Sequence, residues 1–254
     1  MCGIFFSLST VGFIHPEERT TKLLRNRGPD SFQKHTHCVE RIKEDIHSAE
    51  GSLYLTYIST VLALRGNRIQ AQPLVDPSSK SVFSWNGEAW KVSNELVRGN
   101  DAQHMFELFL DAVTPPVTST EPISSCLALE SRQQTLAKLV KVISSISGPF
   151  SFVFYDGFGS RLFYGRDCLG RRSLLSGWDN MGNFKISSIC DGTSLKHFEE
   201  VETDGLHMIN IADIFQRSAP GHGTGTALCH RLKIETIPWK TEVELDVGVT
   251  YLVG

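Results

Sequence analysis

Cys2 is the residue of this chain best suited to nucleophilic chemistry. It follows Met1 directly, and a small residue at that place usually lets the methionine be cut away. The new terminus is then a cysteine with a thiol and a free α-amine on the same residue. The amine has an ordinary pKa of about 7.7–8, near the thiol's roughly 8.5. It can therefore take the thiol proton near neutral pH, directly or through a water, as a nucleophile-plus-base pair. Gly3 allows close backbone approach, and residues 4–8 read as a short buried strand. The plain alternative is a start codon followed by a first strand with an inert buried cysteine.

Other reactive groups are less persuasive. His35-Thr36-His37-Cys38 with Cys229-His230 matches no zinc spacing, so no metal site is expected. Gly221-His222-Gly223-Thr224-Gly225 lacks the Lys-Ser/Thr of a phosphate loop and reads as a linker. The cysteines at 2, 38, 126, 168, 190 and 229 are scattered, as reduced thiols are, without the spacing of a disulfide framework.

The elements that must position Cys2 follow from hydrophobic period and turn signals. A helix is expected from Pro16 to about Arg25, acidic at its start and basic at its end, stopping at Arg27-Gly28-Pro29-Asp30-Ser31. Residues up to about Gly51 read as polar loop. Strands are expected at 53–58, at 60–64 and at 82–85, the last halted by Asn86-Gly87. Helical periodicity covers 101–112, with Met105, Leu108, Phe109 and Ala112 on one face. Residues 113–121, rich in Pro, Ser and Thr, read as loop, and 136–146 as a second amphipathic helix. Further strands are expected at 150–155, 162–164, 173–175 and 184–186. Two groups of strands flanking a helix pair argue for an α+β fold of packed sheets with helices outside. Beyond about Ile211 the pattern weakens.

Length and composition set the bounds. The 254 residues, with a net charge of −3 and 41% hydrophobic residues, suit one medium-to-large domain with some extra chain. No basic stripe with interleaved aromatics points to nucleic acid. No charged segment precedes the apolar run after Met1, and no uninterrupted apolar run nears the ~20 residues that span a bilayer. The expectation is a soluble cytoplasmic protein with no membrane partner.

Read together with Cys2, several short stretches change the picture. They are Arg27-Gly28-Pro29-Asp30, Leu64-Arg65 before Gln72-Pro73-Leu74, Trp85-Asn86-Gly87-Glu88, and Gly99-Asn100-Asp101. To these are added Gly148-Pro149-Phe150-Ser151-Phe152 and Gly165-Arg166-Asp167-Cys168-Leu169-Gly170-Arg171-Arg172-Ser173-Leu174. In this order the chain resembles the glutaminase domain of class II glutamine amidotransferases in the asparagine synthetase branch. The last stretch is nearer to the asparagine synthetase domain-containing proteins than to the housekeeping synthetase. The resemblance covers roughly residues 2–211, leaving 212–254 as a tail leading toward an absent synthetase domain.

The resemblance implies an N-terminal-nucleophile hydrolase fold, a four-layer αββα sandwich of two antiparallel sheets. It implies hydrolysis of L-glutamine to glutamate and ammonia through a Cys2 thioester, tied to asparagine biosynthesis. Asn86 and Gly87 match the family's oxyanion hole, where one donor is typically worth about 2.7–4 kcal/mol. Arg65 matches its carboxylate-binding arginine, whose planar fork suits a bidentate pair. Asp101 matches its ammonium-binding aspartate, and Glu88 falls where it would line the glutamine site. Residues 27–30 are expected to shape the wall of the pocket.

Each position has a plainer alternative: a surface arginine, a type I′ hairpin turn at Asn86-Gly87, an N-cap at Asp101. The family has an apolar residue where Gly66 stands, and a different sequence where Ala89-Trp90-Lys91 stand. The family's pyrophosphate loop does not occur in these residues, so ATP and magnesium would belong to the missing synthetase domain, and no cofactor is expected here. A synthetase domain or partner in cis or in trans would then receive the ammonia. Two rival functions remain, a non-catalytic regulatory or interaction module that keeps the fold and a hydrolase of some other amide.

Overall fold

Every residue of Gly3–Ser9 (β1) is buried, which a strand achieves only when both of its faces are covered. The computed structural model describes residues 1–40, 51–115, 125–190, 197–216 and 228–239, and in it β1 lies inside a six-stranded antiparallel sheet. The sheet also contains β2 (Ser31–Glu40), β3 (Ser52–Val61), β11 (Leu175–Trp178), β12 (Phe184–Ser187) and β13 (His197–Glu200), in the order β13-β11-β12-β1-β3-β2.

A second sheet of six strands is built from β4 (Leu74–Val75), β5 (Val82–Gly87), β9 (Phe150–Asp156), β10 (Arg161–Arg166), β14 (Gly205–Asn210) and β15 (Ile234–Pro238). Its order is β15-β14-β10-β9-β5-β4. A small third sheet joins β6 (Lys91–Val92), β7 (Glu95–Leu96) and β8 (Ile146–Ser147).

Period-2 alternation decides which core each strand feeds. On the inward faces, Ile4, Phe6 and Leu8 of β1 meet Val153 and Tyr155 of β9 and Leu162 and Tyr164 of β10. On its outer face the second sheet packs Phe83, Trp85, Phe150, Phe152 and Phe154 against α2 (Asp101–Val113) and α3 (Ser125–Ser144) through Met105, Phe109, Leu139 and Ile143. The outer face of the first sheet is covered by α1 (Glu18–Arg27), where Leu24 meets Phe5 and Ile58. The layers are therefore helix, sheet, sheet, helix, the αββα sandwich that the resemblance implies. Two short helices, α4 (Ile211–Gln216) and α5 (Leu228–Arg231), complete the described elements.

Several local expectations change. Residues 31–40, read as loop, form an edge strand in register with β3 along its whole length. Its polar, half-exposed side chains hide the alternation that marks inner strands. His35 and His37 lie on it, their rings against Tyr57 and Tyr155. The two strands expected at 53–58 and 60–64 are one strand, β3, because Ser59 stays paired with Ile4. Part of the stretch read as a tail returns to the fold, since β15 pairs with β14 from Gly205↔Pro238 to Ile209↔Ile234. The expected glycine-rich linker at 221–225 lies outside the described residues.

Candidate active site

The carboxyl end of β5 lies beside the amino end of β1, and there a solvent-open cavity of about 100 Å³ forms. Cys2, Arg65, Asn86, Gly87, Glu88 and Asp101, separated by up to a hundred positions in sequence, all line it, together with Met1, Gln72 and Arg172. These lining residues come from the two positions before β1, the loop after β3, the end of β5 and the residue after it, the start of α2, and the connection from β10 to β11.

Asn86 and Gly87 do not make a hairpin turn. They continue β5, paired with Ser151 and Phe150 of β9. The backbone N–H of Trp85 donates to Gln72 Oε1 at 2.6 Å, and that of Glu88 donates to the Pro149 carbonyl at 2.9 Å. Because ladder bonds alternate sides, the Gly87 N–H is directed away from β9, toward the edge of β5 where the cavity opens. A β-carbon at Gly87 would stand 2.7 Å from the Trp85 ring and 2.8 Å from Phe150 Cβ, so the close approach requires glycine. Asn86 is 1% exposed, and its Nδ2 has no hydrogen-bond partner among the described residues.

Asp101 is not an N-cap either. Asn100 caps α2, its Oδ1 accepting from the Gln103 N–H at 3.2 Å. That frees Asp101, the first helical residue, to turn inward with 5% exposure. Its Oδ2 accepts from Trp85 Nε1 at 3.1 Å and from the Ala89 N–H at 2.9 Å. Arg65 is not a free surface arginine. Its Nη1 donates to the Ala89 carbonyl and its Nη2 to the Val97 carbonyl, both at 2.6 Å. The Ala89 peptide thus ties together the cation and the anion: its carbonyl takes Arg65 and its N–H takes Asp101. Gly66, the departure after Arg65, has φ +82°, a left-handed conformation that glycine adopts without strain.

Glu88 reaches across the cavity, its Oε1 accepting from Arg172 Nη2 at 2.8 Å. Sequence reading assigned no role to Arg172, although it stands in the quoted Gly-Arg-Arg-Ser stretch; an arginine beside that turn was the only signal. Arg27 and Asp30 do not line the cavity but brace it from behind. Arg27 donates through Nε to the Cys2 carbonyl at 3.3 Å and through Nη1 to Ser173 Oγ and the Ser188 carbonyl. Asp30 Oδ2 accepts from the Ala63 N–H at 2.7 Å.

The Cys2 thiol points toward the Leu62 carbonyl, 3.9 Å away. Burial pushes its pKa up; the terminal ammonium and Arg172 oppose that, and Asp101 adds to it. The α-amine is that of Met1, and burial lowers its pKa, with Arg27 and Arg172 acting in the same direction. The Cys2 nitrogen is a peptide N–H while Met1 is attached, so no base stands on the cysteine itself. Among the described residues no group of three or more His, Cys, Asp or Glu side chains is placed to hold a metal, and no helix is long and apolar enough to cross a membrane.

No family model matches the chain. Asparagine synthetase domain-containing protein 1 of Homo sapiens is 27% identical over 246 residues, covering 94% of this chain and 31% of that protein. The protein of the same name from Gallus gallus is 30% identical over 220 residues, covering 85% of this chain and 28% of that protein. The chain thus spans about 30% of the length of these curated relatives. Among solved structures, the allosteric regulatory enzyme of purine biosynthesis aligns over 94% of this chain and 49% of that one, with a TM-score of 0.51 and 14% identity, a likeness of fold alone. By these relatives and this architecture, the chain is similar over most of its length to part of the asparagine synthetase domain-containing proteins, and it has the αββα sandwich fold of the N-terminal-nucleophile hydrolases.

Proposed function

We propose that this chain hydrolyses L-glutamine to glutamate and ammonia, with Cys2 as nucleophile. The observation that carries the reading is the convergence of Cys2, Arg65, Asn86, Gly87 and Asp101 on one cavity, with the Asn86 amide buried and unpartnered.

Removal of Met1 converts the Cys2 nitrogen into the amine that accepts the thiol proton. The thiolate adds to the side-chain amide carbon of glutamine. The oxyanion so formed takes hydrogen bonds from Asn86 Nδ2 and the Gly87 N–H. Collapse breaks the C–N bond, and the amine returns its proton to the departing ammonia. Water then adds to the thioester through a second oxyanion, releasing glutamate and regenerating the thiol.

Arg65, with two of its five N–H groups spent on backbone carbonyls, keeps the rest for the substrate carboxylate. Asp101 answers the substrate ammonium, with Glu88 beside it. We assign this activity to a glutaminase unit over 1–211 and its ammonia to a synthetase domain or partner, in the service of asparagine formation.

Glutamine hydrolysis by Met1-processed protein tests the reading. Processed chain should release ammonia and glutamate in equal amounts. Cys2→Ala, and the chain with Met1 retained by mass spectrometry, should release none. Equal ammonia from processed chain and Cys2→Ala would overturn the proposal, and calorimetric glutamine binding without turnover would favour a non-catalytic module.

A further inference from the structure

Asn86 has a neighbour that the cavity does not touch. Alternation along β5 sends Phe83 and Trp85 to the helical side of the sheet and Val82, Ser84 and Asn86 to the layer between the sheets. On β9, Val153 and Tyr155 lie in that inner layer, so Ser151 faces it too. Asn86 and Ser151 are direct cross-strand partners. Side chains so placed project from one face with Cβ atoms about 4.5–5.5 Å apart.

Both residues are sealed, Asn86 at 1% exposure and Ser151 at 0%. Asn86 Nδ2 and Ser151 Oγ both lack a hydrogen-bond partner among the described residues. Tyr57 Oη in the same layer is also unpartnered among the described residues, but it has no buried unpartnered polar group directly across its rung. The nearby pair from the two sheets is satisfied, Ser59 Oγ donating to Ser84 Oγ at 2.8 Å. One rung, beside the cavity that Asn86 lines, pairs an unserved donor with an unserved hydroxyl.

The chemistry of the two groups is complementary. A carboxamide nitrogen carries two N–H donors, and a serine oxygen is an acceptor. We propose that Ser151 is a positioning residue for the Asn86 carboxamide. Its Oγ accepts one N–H of Nδ2, directly after a small side-chain rotation or through one bridging water, and so aims the other N–H into the cavity. Without that acceptor the amide can turn about its terminal torsion, whose wells are broad. Ser151 touches no substrate; it acts only through Asn86, and the inference rests on the reading of Asn86 as an oxyanion donor.

The test is steady-state glutamine hydrolysis by Met1-processed wild type, Asn86→Ala, Ser151→Ala and the double variant, each with a thermal melt. Ser151→Ala should lower kcat roughly tenfold with KM unchanged, less than the 10²–10³ that deleting an oxyanion donor costs. Its melting temperature should fall by a few degrees, because the buried Asn86 N–H loses its acceptor. In the Asn86→Ala background Ser151→Ala should cost nothing more. Wild-type kcat in Ser151→Ala alongside a crippled Asn86→Ala overturns the inference and leaves the oxyanion reading standing. Losses that multiply in the double variant also overturn it. Full kcat in Asn86→Ala removes the oxyanion reading itself and the inference with it. If Ser151→Ala melts below the assay temperature, Ser151→Cys, with a weaker acceptor of similar size, reads the same kcat split.

Discussion

Asp101 and Asp156 are both buried carboxylates, and the fold serves them in opposite ways. Asp156, at 0% exposure, is saturated. Its Oδ2 takes Nε and Nη2 of Arg161 at 3.0 and 2.7 Å, and its Oδ1 takes the N–H groups of Phe158 and Gly159. Everything that the charge needs is supplied within one hairpin between β9 and β10. Asp101 has only two neutral donors, both on Oδ2, and among the described residues nothing donates to Oδ1. No cation pairs with it in the described residues, yet it lines a cavity. A carboxylate fully satisfied by its own hairpin stabilises the fold; one half satisfied at a cavity wall keeps an oxygen that, on the proposed function, meets the substrate ammonium.

That contrast can be broken by experiment. Asp156→Ala leaves the Arg161 guanidinium buried and unpaired, which costs about 3–5 kcal/mol. In a chain of this size that lowers the melting temperature by ~10 °C. Below that temperature the KM for glutamine should stay at the wild-type value. If Asp156→Ala melts like the wild type, the hairpin pair is not the structural member of the comparison.

Asp101→Asn should do the reverse. An asparagine oxygen can still accept from Trp85 and Ala89, so the melt should move little. The KM for glutamine should rise by about tenfold or more, the worth of a hydrogen bond to a charged group. An unchanged KM would remove Asp101 from substrate binding.

The smallest effect concerns Arg172, whose charge acts on Cys2 in the sense opposite to that of Asp101. Arg172 lowers the Cys2 pKa while burial raises it. In the unprocessed chain, alkylation of the Cys2 peptide followed by mass spectrometry should speed up with rising pH, with a midpoint above that of an ordinary thiol. The sign follows from the thiolate being the reactive form, populated only as pH climbs through the raised pKa. Arg172→Gln should move the midpoint further up. No movement, or a downward one, would show that Arg172 is too screened to act on the thiol.

How much was legible in the sequence varied with how local the cause was. The amphipathic face of α2, with Met105, Phe109 and Ala112 buried, was readable because its period is set by residues three and four apart. The first strand was readable from a short, mostly apolar run, Ile4-Phe5-Phe6-Ser7-Leu8. The stretch at 31–40 was not, since it is a strand only by virtue of β3 beside it, and its edge position lets polar side chains stand. Asn86-Gly87 misled for the same reason. The dipeptide prefers a turn when only local preference acts, but full pairing with Ser151 and Phe150 outweighs that preference.

The sequence by itself determined the reactive inventory: a cysteine at the second position, and the ordered arginine, Asn-Gly-Glu and aspartate that resemble a glutaminase. It also determined the strand-rich, two-sheet class. Only the tertiary structure decided the rest. It set Asn86 as strand rather than turn, and Asp101 as a buried wall of the cavity rather than a cap. It brought Arg172 to Glu88 across 84 positions and Ser151 to Asn86 across a rung of β-sheet. The physical reason is that side-chain type is a property of one residue, whereas register, burial and charge pairing are fixed by strands that meet from distant parts of the chain.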